Sequence, residues 1–527
     1  MTPHAPSAHA RAALAALALA AFAFASAPAA WAQSPPATPA PIPTQQGAQP
    51  VEAFVGAPAT AHPVTAKAIP QSPGLLTGSW GCIHDDTYQS DTYPVAGPLG
   101  VAPITRSAWL GTPQVPYALC VGITFDRQGY LIAAAIKIDM DAVPMTSNVV
   151  LTLLDPDTLA TLATFALPGE LYFPGYRPAG TYFYQDDQDR TIVGTVDDTV
   201  WVVSHEQTDG RWSFSHGSGK ADTWDLTAVI SGGDAVEALA PDFAGRVWVT
   251  TKDGVVATVD ARTGEVLGSN DDMKRLHETI ANGHAVSEES AAYIASDSAM
   301  YRFDADAFGR PVQTWREPYA KGTGVKPGQV ELGTGTTPTI MGGKYVAITD
   351  NAQPYMHVLV YQCAKKAKGK RLTTSVPVFN AYAGCTENSL VCTEKSIVVE
   401  NNFGYRQPDV DTVGGRTTTP GMTRIDLDKK GVGHKVWTSD QISVPSAITK
   451  MSLANGIIYC YTKPAGPGTT DPWYFTALDF RTGKVLWKQL SGTGELYDNF
   501  YAGTYIGPDG TLYQGVVGGL VAMRDGP

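Results

Sequence analysis

From about residue 75 onward the chain repeats one short piece of punctuation. Asp479-Phe480-Arg481-Thr482-Gly483 closes the apolar run Trp473 to Leu478, and Asp260-Ala261-Arg262-Thr263-Gly264 closes Val255 to Val259. Asp242-Phe243-Ala244-Gly245 leads into Arg246 to Thr250, Asp126 to Gly129 leads into Tyr130-Leu131-Ile132, and Pro508-Asp509-Gly510 leads into Thr511-Leu512-Tyr513. In such turns Asp bonds the backbone ahead of it and Gly supplies a left-handed residue, so each reverses one strand into the next. Weaker copies begin near Tyr182, Ala285, Val330 and Leu390. The runs between turns are β-branched and aromatic. Helical periodicity is nearly absent, with Asp271 to Asn282 the one short candidate. Four strands per unit, at about forty to fifty residues per unit, is the period of a β-propeller. The predicted fold is therefore all-β, a single propeller of about eight four-stranded blades over residues 75–527. The last unit shows three strands before Pro527, so an N-terminal strand must close the ring. Leu75 to Trp80 is the predicted donor.

The segments before residue 75 read differently. Arg11, the apolar run Ala12 to Ser26 and the small-residue site Ala30-Trp31-Ala32 have the order of a secretory signal peptide, residues 1–32. Residues 33–74 are rich in Pro, Ala, Gln and Thr and read as a disordered linker. No second apolar run reaches membrane-spanning length. The expected location is thus exported, either periplasmic or secreted.

The chain carries 38 basic and 50 acidic residues, a net charge of −12, which excludes nucleic acid as a main partner. Six cysteines in an exported chain predict disulfides, with Cys82–Cys120 and Cys363–Cys385 as the expected pairs and Cys460 as a buried free thiol.

The stretch Ala477-Leu478-Asp479-Phe480-Arg481-Thr482-Gly483-Lys484-Val485-Leu486-Trp487 resembles the A-x-D-x-x-T-G-x-x-x-W repeat of quinoprotein-like (PQQ-type) propellers. Asp260 to Gly268 matches in part, with Gly268 where the tryptophan would stand. The resemblance implies the propeller fold. Family members that use the quinone are dehydrogenases, many with adjacent cysteines against the ring, and this chain has no adjacent cysteine pair. Other members bind no quinone and act as scaffolds, for example in envelope assembly.

Loops that join neighbouring blades, and those between second and third strands, share one propeller face. On that face the sequence places Asp253, Asp297, Asp350, Asn351, Glu400, Asn401 and Asn402, and two long connections, Cys82 to Asp91 and Trp315 to Pro338. Asp297, Asp350, Asn351, Glu400, Asn401 and Asn402 are candidate Ca²⁺ ligands, because hard oxygen donors suit that ion. The set is similar in composition to the tunnel lining of calcium-dependent lactonase propellers. Turn chemistry is the competing explanation, since Asp and Asn also cap their own backbone. His84 with Asp85 is a candidate general base with its carboxylate. Trp315, Glu317, Tyr319 and Thr336 are candidate ligand-binding residues, the aromatic pair able to stack on a sugar or ring; packing between blades is the alternative. Lys365 to Arg371 reads as the basic tip of a hairpin on the opposite face.

His205-Glu206 and His277-Glu278 lack the second histidine of a zincin, and no G-x-S-x-G elbow is present. Asp304 to Gly309 begins like a calcium loop, but Phe308 and Trp315 occupy ligand positions, which makes it a hairpin turn. Three functions follow. The first is an exported binding or scaffold protein, acting as a monomer on a small molecule or envelope protein. The second is a Ca²⁺-dependent lactonase-like hydrolase, and the third a quinoprotein oxidoreductase. Whether the protein is an enzyme stays open at this level.

Overall fold

In a computed structural model, residues 38–78, 80–139, 146–169, 171–172, 180–231 and 233–527 are described. The predicted signal peptide lies outside them. Among the described residues no helix is long and apolar enough to cross a membrane.

Eight sheets, each with a four-stranded ladder, form the blades of a β-propeller. Their innermost strands are Ala118–Phe125, Tyr184–Gln185, Val236–Pro241, Ala285–Val286, Thr339–Met341, Val391–Cys392, Lys450–Ser452 and Thr504–Ile506, which number blades 1 to 8. Each blade then proceeds outward by antiparallel hairpins. The turns work as their residues predict. Asp479 Oδ1 accepts from the amides of Arg481 (2.8 Å) and Thr482 (3.1 Å), and Gly483 takes φ +70°. Burial falls from the axis outward. In blade 3 the second strand Arg246–Thr251 is buried on both faces between its neighbours, whereas the outer strand Val266–Asn270 is half exposed. Trp487, the last residue of the full repeat match, is fully buried against Tyr459 and Phe54.

The ring is closed by an N-terminal strand, but a different one from that predicted. Ile104–Trp109 pairs antiparallel with Arg524 to Gly519 and forms the outer strand of blade 8. Leu75 to Trp80 lies inside the ring instead. Its apolar residues suit either place, and the partly exposed, polar-containing run Ile104–Trp109 suits an outer strand better.

Residues 72–93 cross the central channel as a plug that bonds to every blade. Ser72 Oγ donates to Asp242 O (2.8 Å) beyond the inner strand of blade 3, and Leu76 N to Gln185 O (3.0 Å) of blade 2. Trp80 accepts from Phe125 N of blade 1 (3.1 Å) and its indole donates to Ile506 O of blade 8 (2.9 Å). The carbonyls of Thr87, Tyr88, Ser90 and Asp91 accept in turn from Val286, Ile340, Cys392 and Met451 of blades 4 to 7, at 2.9–3.0 Å. These contacts fall toward the far ends of the inner strands, so the plug closes the channel on the face away from the inter-blade connections.

The predicted linker also differs. From residue 38 to residue 74 the chain is extended, as its proline content dictates, but it is strapped to the propeller. Gln45 N donates to Thr493 O, Phe54–Gly56 pairs with the outer strand of blade 7, and the amides of His62 and Val64 donate to Asn455 and Leu453. A Pro-rich segment loses little further entropy on becoming an edge strand, and it covers an edge that would otherwise stay open.

The predicted disulfides are not formed; all six cysteines are free. Cys363 follows the third strand of blade 5, Met356–Gln362, at one face, while Cys385 lies in the connection to blade 6 at the other. A seven-residue strand separates those faces by about 23 Å, far beyond disulfide reach. Cys82 packs with the cluster of blades 2 and 3 and Cys120 with that of blade 1. Cys460 is a buried free thiol, as expected.

Candidate functional site

The plug makes the channel blind, and its upper surface is the floor of the candidate site. His84, Asp85 and Asp91 on the plug are buried, as is Lys450 at the start of the inner strand of blade 7. Lys450 Nζ donates to Ile83 O (2.8 Å) and to Asp91, and stands 3.6 Å from Asp85. His84 Nδ1 lies 3.0 Å from Asp91 Oδ1 and 2.9 Å from Ser389 Oγ of blade 6. His84 is therefore oriented by a carboxylate, but by Asp91, seven residues on. Asp85, the neighbour singled out with it, takes φ +75° and turns to Lys450 instead. Burial pushes the Asp85 carboxyl well up, while Lys450 and His84 hold Asp91 low against the same desolvation. His84 Nε2 has no hydrogen-bond partner.

Glu400, at the end of the second strand of blade 6, is fully buried beside Asn388 and Thr449. Both carboxylate oxygens, Asn388 Oδ1 and Thr449 Oγ1 lack a hydrogen-bond partner of normal geometry. Desolvation raises the Glu400 pKa to about 8. Above the floor, the Tyr182 ring lies 6.1 Å from that of His84, and its hydroxyl donates to Asn282 Oδ1 (3.2 Å). Glu237 and Glu387 stand near Tyr182, each raised to about 8 by burial. The channel is thus lined by carboxyls, and Lys450, the cation at its floor, is already paired.

The other predicted ligands are used elsewhere. Asp350 caps its own turn through Ala352 N and His357 N and pairs with His357 Nδ1 (2.8 Å). Asn351 bonds Gly333 O, Thr386 O and Thr386 N, Asn401 bonds Cys385 N, Phe403 N and Ala383 O, and Asn402 bonds Thr386, Glu387 and Val444. These three amides staple second-to-third turns onto inter-blade connections, with their side-chain oxygens occupied. Asp297 pairs with Lys321 at the surface. Of the six, Glu400 alone is left with unpartnered oxygens. Asn388 and Thr449, its neighbours, carry no signal in the sequence, because each is an ordinary polar residue in an inter-blade connection.

The predicted ligand-binding residues do not line one pocket. Trp315 packs between blades 4 and 5 against Tyr293 (6.1 Å) and under Arg371 (4.4 Å). Glu317 pairs with Arg371 (3.4 Å). Tyr319 bonds Ser296 O and Thr334 N, and Thr336 Oγ1 bonds Thr349 Oγ1 (2.7 Å). Lys365 to Arg371 does tip the third hairpin of blade 5.

Comparison with known proteins accords with this fold. No family model matches the chain. An uncharacterized protein of Archaeoglobus fulgidus is 26% identical over 325 residues, 56% of this chain and 62% of that protein. The chain thus spans less than two thirds of that relative's length. The quinohemoprotein alcohol dehydrogenase ADHIIG from Pseudomonas putida HK5 superposes with a TM-score of 0.51 at 12% identity, over 86% of this chain and 80% of that one. The quinohemoprotein alcohol dehydrogenase of Comamonas testosteroni gives 0.48 at 12% identity (85% and 81% covered), and BamB of Moraxella catarrhalis 0.40 at 11% identity (80% and 98%). The protein is an eight-bladed β-propeller.

The quinone of such dehydrogenases is a tricarboxylate and needs cations around it. The channel offers Glu237, Glu387, Glu400, Asp85 and Asp91 against the paired Lys450. Burial holds the three glutamates mostly protonated at neutral pH and Lys450 is committed to Asp85 and Asp91, so none of these groups offers a free cation to a carboxylate. The residues present do not fit that cofactor.

Proposed function

We propose that this is an exported binding propeller whose loop-rich face opens into a blind, acid-lined channel that takes a hard cation, Ca²⁺ in the first instance. The observation that carries this reading is the fully buried Glu400 carboxyl, whose oxygens face the side chains of Asn388 and Thr449 without a hydrogen bond of normal geometry. Buried polar atoms are nearly always satisfied, and hard oxygen donors from carboxylate, amide and hydroxyl are what Ca²⁺ requires. Glu400, Asn388 and Thr449 would hold the ion. A bound Ca²⁺ would supply a fixed positive charge to which a carbonyl or carboxylate of a ligand can be drawn. Export is supported by the charged, apolar and small-residue order of residues 1–32.

A hydrolase is the second reading, favoured by His84. Its Nδ1 is held by Asp91 and its Nε2 is unpartnered, the arrangement of an oriented general base. Native mass spectrometry of chelator-treated protein tests the main proposal. The expected result is a gain of one Ca²⁺ per chain, lost in Glu400→Gln, and no gain on adding quinone. No Ca²⁺ uptake, or uptake indifferent to Glu400→Gln, refutes it. Turnover of lactones or esters that is lost in His84→Gln would establish the hydrolase.

A further inference from the structure

The first turn of blade 1 departs from a pattern that three of its sister turns keep. In five turns of the D-x-x-x form, that of Asp428 among them, one oxygen of the leading Asp caps the backbone. Asp126, Asp186, Asp242 and Asp306 each accept, through Oδ1, from the amides two and four residues on. The second oxygen takes an arginine in three of them, while the Asp428 turn, with Val432 at that position, is exposed to solvent. Asp186, Asp242 and Asp306 bind Arg190, Arg246 and Arg310 through Oδ2, at 2.6, 2.7 and 2.8 Å. In blade 1 the equivalent residue is Tyr130, whose ring packs edge-on against Trp212 (4.9 Å). Asp126 Oδ2 is consequently left without a hydrogen bond, on a side chain that is fully buried.

Two further groups converge on that oxygen from blade 2. His205, on the third strand Thr199–Thr208, brings Nε2 to 3.3 Å from Asp126 Oδ2, its side chain 3% exposed. Asp189 brings Oδ2 to 4.0 Å from the same nitrogen. Asp189 sits at φ +65°, the turn position that Gly129, Gly245 and Gly309 fill elsewhere. One donor atom of each of the three residues lies within 4.8 Å of the others. Donors on a tetrahedral Zn²⁺ with bonds of about 2.0–2.1 Å stand about 3.3 Å apart, the separation seen between Asp126 and His205. Imidazole with two carboxylates is a donor set for first-row divalent ions rather than for Ca²⁺.

We propose that Asp126, Asp189 and His205 bind a divalent first-row transition metal of the Zn²⁺ type, which replaces the missing arginine and clips blade 1 to blade 2. The site does not depend on the channel reading, and it uses none of the channel's residues. Asp189, with a side chain 21% exposed, leaves the fourth position open to solvent. The alternative is that a protonated His205 alone serves as the cation.

The test is Co²⁺ titration of the chelator-treated full chain, followed by visible absorption and by Zn²⁺ competition. The expected result is one Co²⁺ per chain with visible ligand-field bands that Zn²⁺ displaces. Two variants should fold, because each restores the residue of the sister turns. Asp189→Gly removes a ligand, and Tyr130→Arg supplies the cation that excludes a metal. Each should weaken Co²⁺ binding at least tenfold, while Glu400→Gln should leave it unchanged. Absence of stoichiometric Co²⁺ binding overturns the proposal, as does wild-type binding in both turn variants or equal loss in Glu400→Gln. A His205 ring that titrates well above its ordinary range while Co²⁺ fails to bind would assign the role to the imidazolium alone.

Discussion

Replacing Lys450 by methionine tests whether the channel floor is held by charge. Methionine keeps the length and apolar stem of lysine but none of its donors. The substitution deletes the bond to Ile83 O, the charge-assisted bond to Asp91 and the ion pair with Asp85. It leaves two buried carboxyls without the lysine that faces both. Removing one partner of a buried pair costs about 3–5 kcal/mol, mostly because the remaining charge is stranded. The loss should depend on pH. Asp91 is held low in the folded protein, so its contribution is full above about pH 4 and disappears as the carboxylate is protonated at lower pH. Lys450 is held high, so its contribution is full below its ordinary pKa of 10.5 and disappears only as pH rises beyond that. The penalty should therefore be flat between about pH 5 and about pH 9 and shrink toward pH 3. Urea unfolding of both proteins across that range measures it, and amide exchange of residues 81–93 localises it. Adding Asp91→Asn should recover part of the loss, since it removes the stranded charge. A penalty below about 1 kcal/mol at neutral pH, or one that grows on acidification, refutes the argument.

Glu237 and Glu387 are raised from 4.5 to about 8 by burial, so the stability they allow is full below about pH 4.5 and is lost as pH rises through about 8; wild-type urea midpoints should fall over that span, and Glu237→Gln with Glu387→Gln should flatten the fall. Burial pushes the thiols of Cys120 and Cys363 up to about 12, so a thiol reagent should count six groups only after denaturation, and reductant should leave thermal unfolding unchanged. Gly456 takes φ +67° with His62 O only 2.0 Å from the place a Cβ would occupy. Gly456→Ala should therefore cost about 1–3 kcal/mol and open the strap near His62 to proteolysis, read by limited digestion.

The blades were legible because their determinants are local. Asp479 and Gly483, or Asp242 and Gly245, fix a turn within five residues, and the apolar runs between turns have strand length. What threads the ring was not legible. Cys82 to Asp91 reads as a polar loop, yet Asp91 and His84 are buried because Lys450 and Ser389, some three hundred residues or more away, satisfy them. The side-chain chemistry of Asn351, Asn401 and Asn402 predicted ligands equally well as staples, and only the position of the neighbouring connections separates the two. Glu400 stood out in both views. Asp189 could have been found from the sequence, by noticing an acid where sister turns carry glycine.

The plug imposes an order of assembly on the chain. It is synthesised before every blade it touches, and its bonds span sequence separations as large as 426 residues, from Trp80 to Ile506. A finished ring offers no route by which residues 72–93 could be laid across its interior. The blades must gather around a strand already in their midst, and the ring can shut only when Gly519 to Arg524 finds Ile104–Trp109. Such long-range closure is slow, and it leaves inner strand edges open until the last blade emerges. A nascent chain of this design therefore stays open until Gly519 to Arg524 have been made, and loss of that strand should prevent it from reaching a closed state.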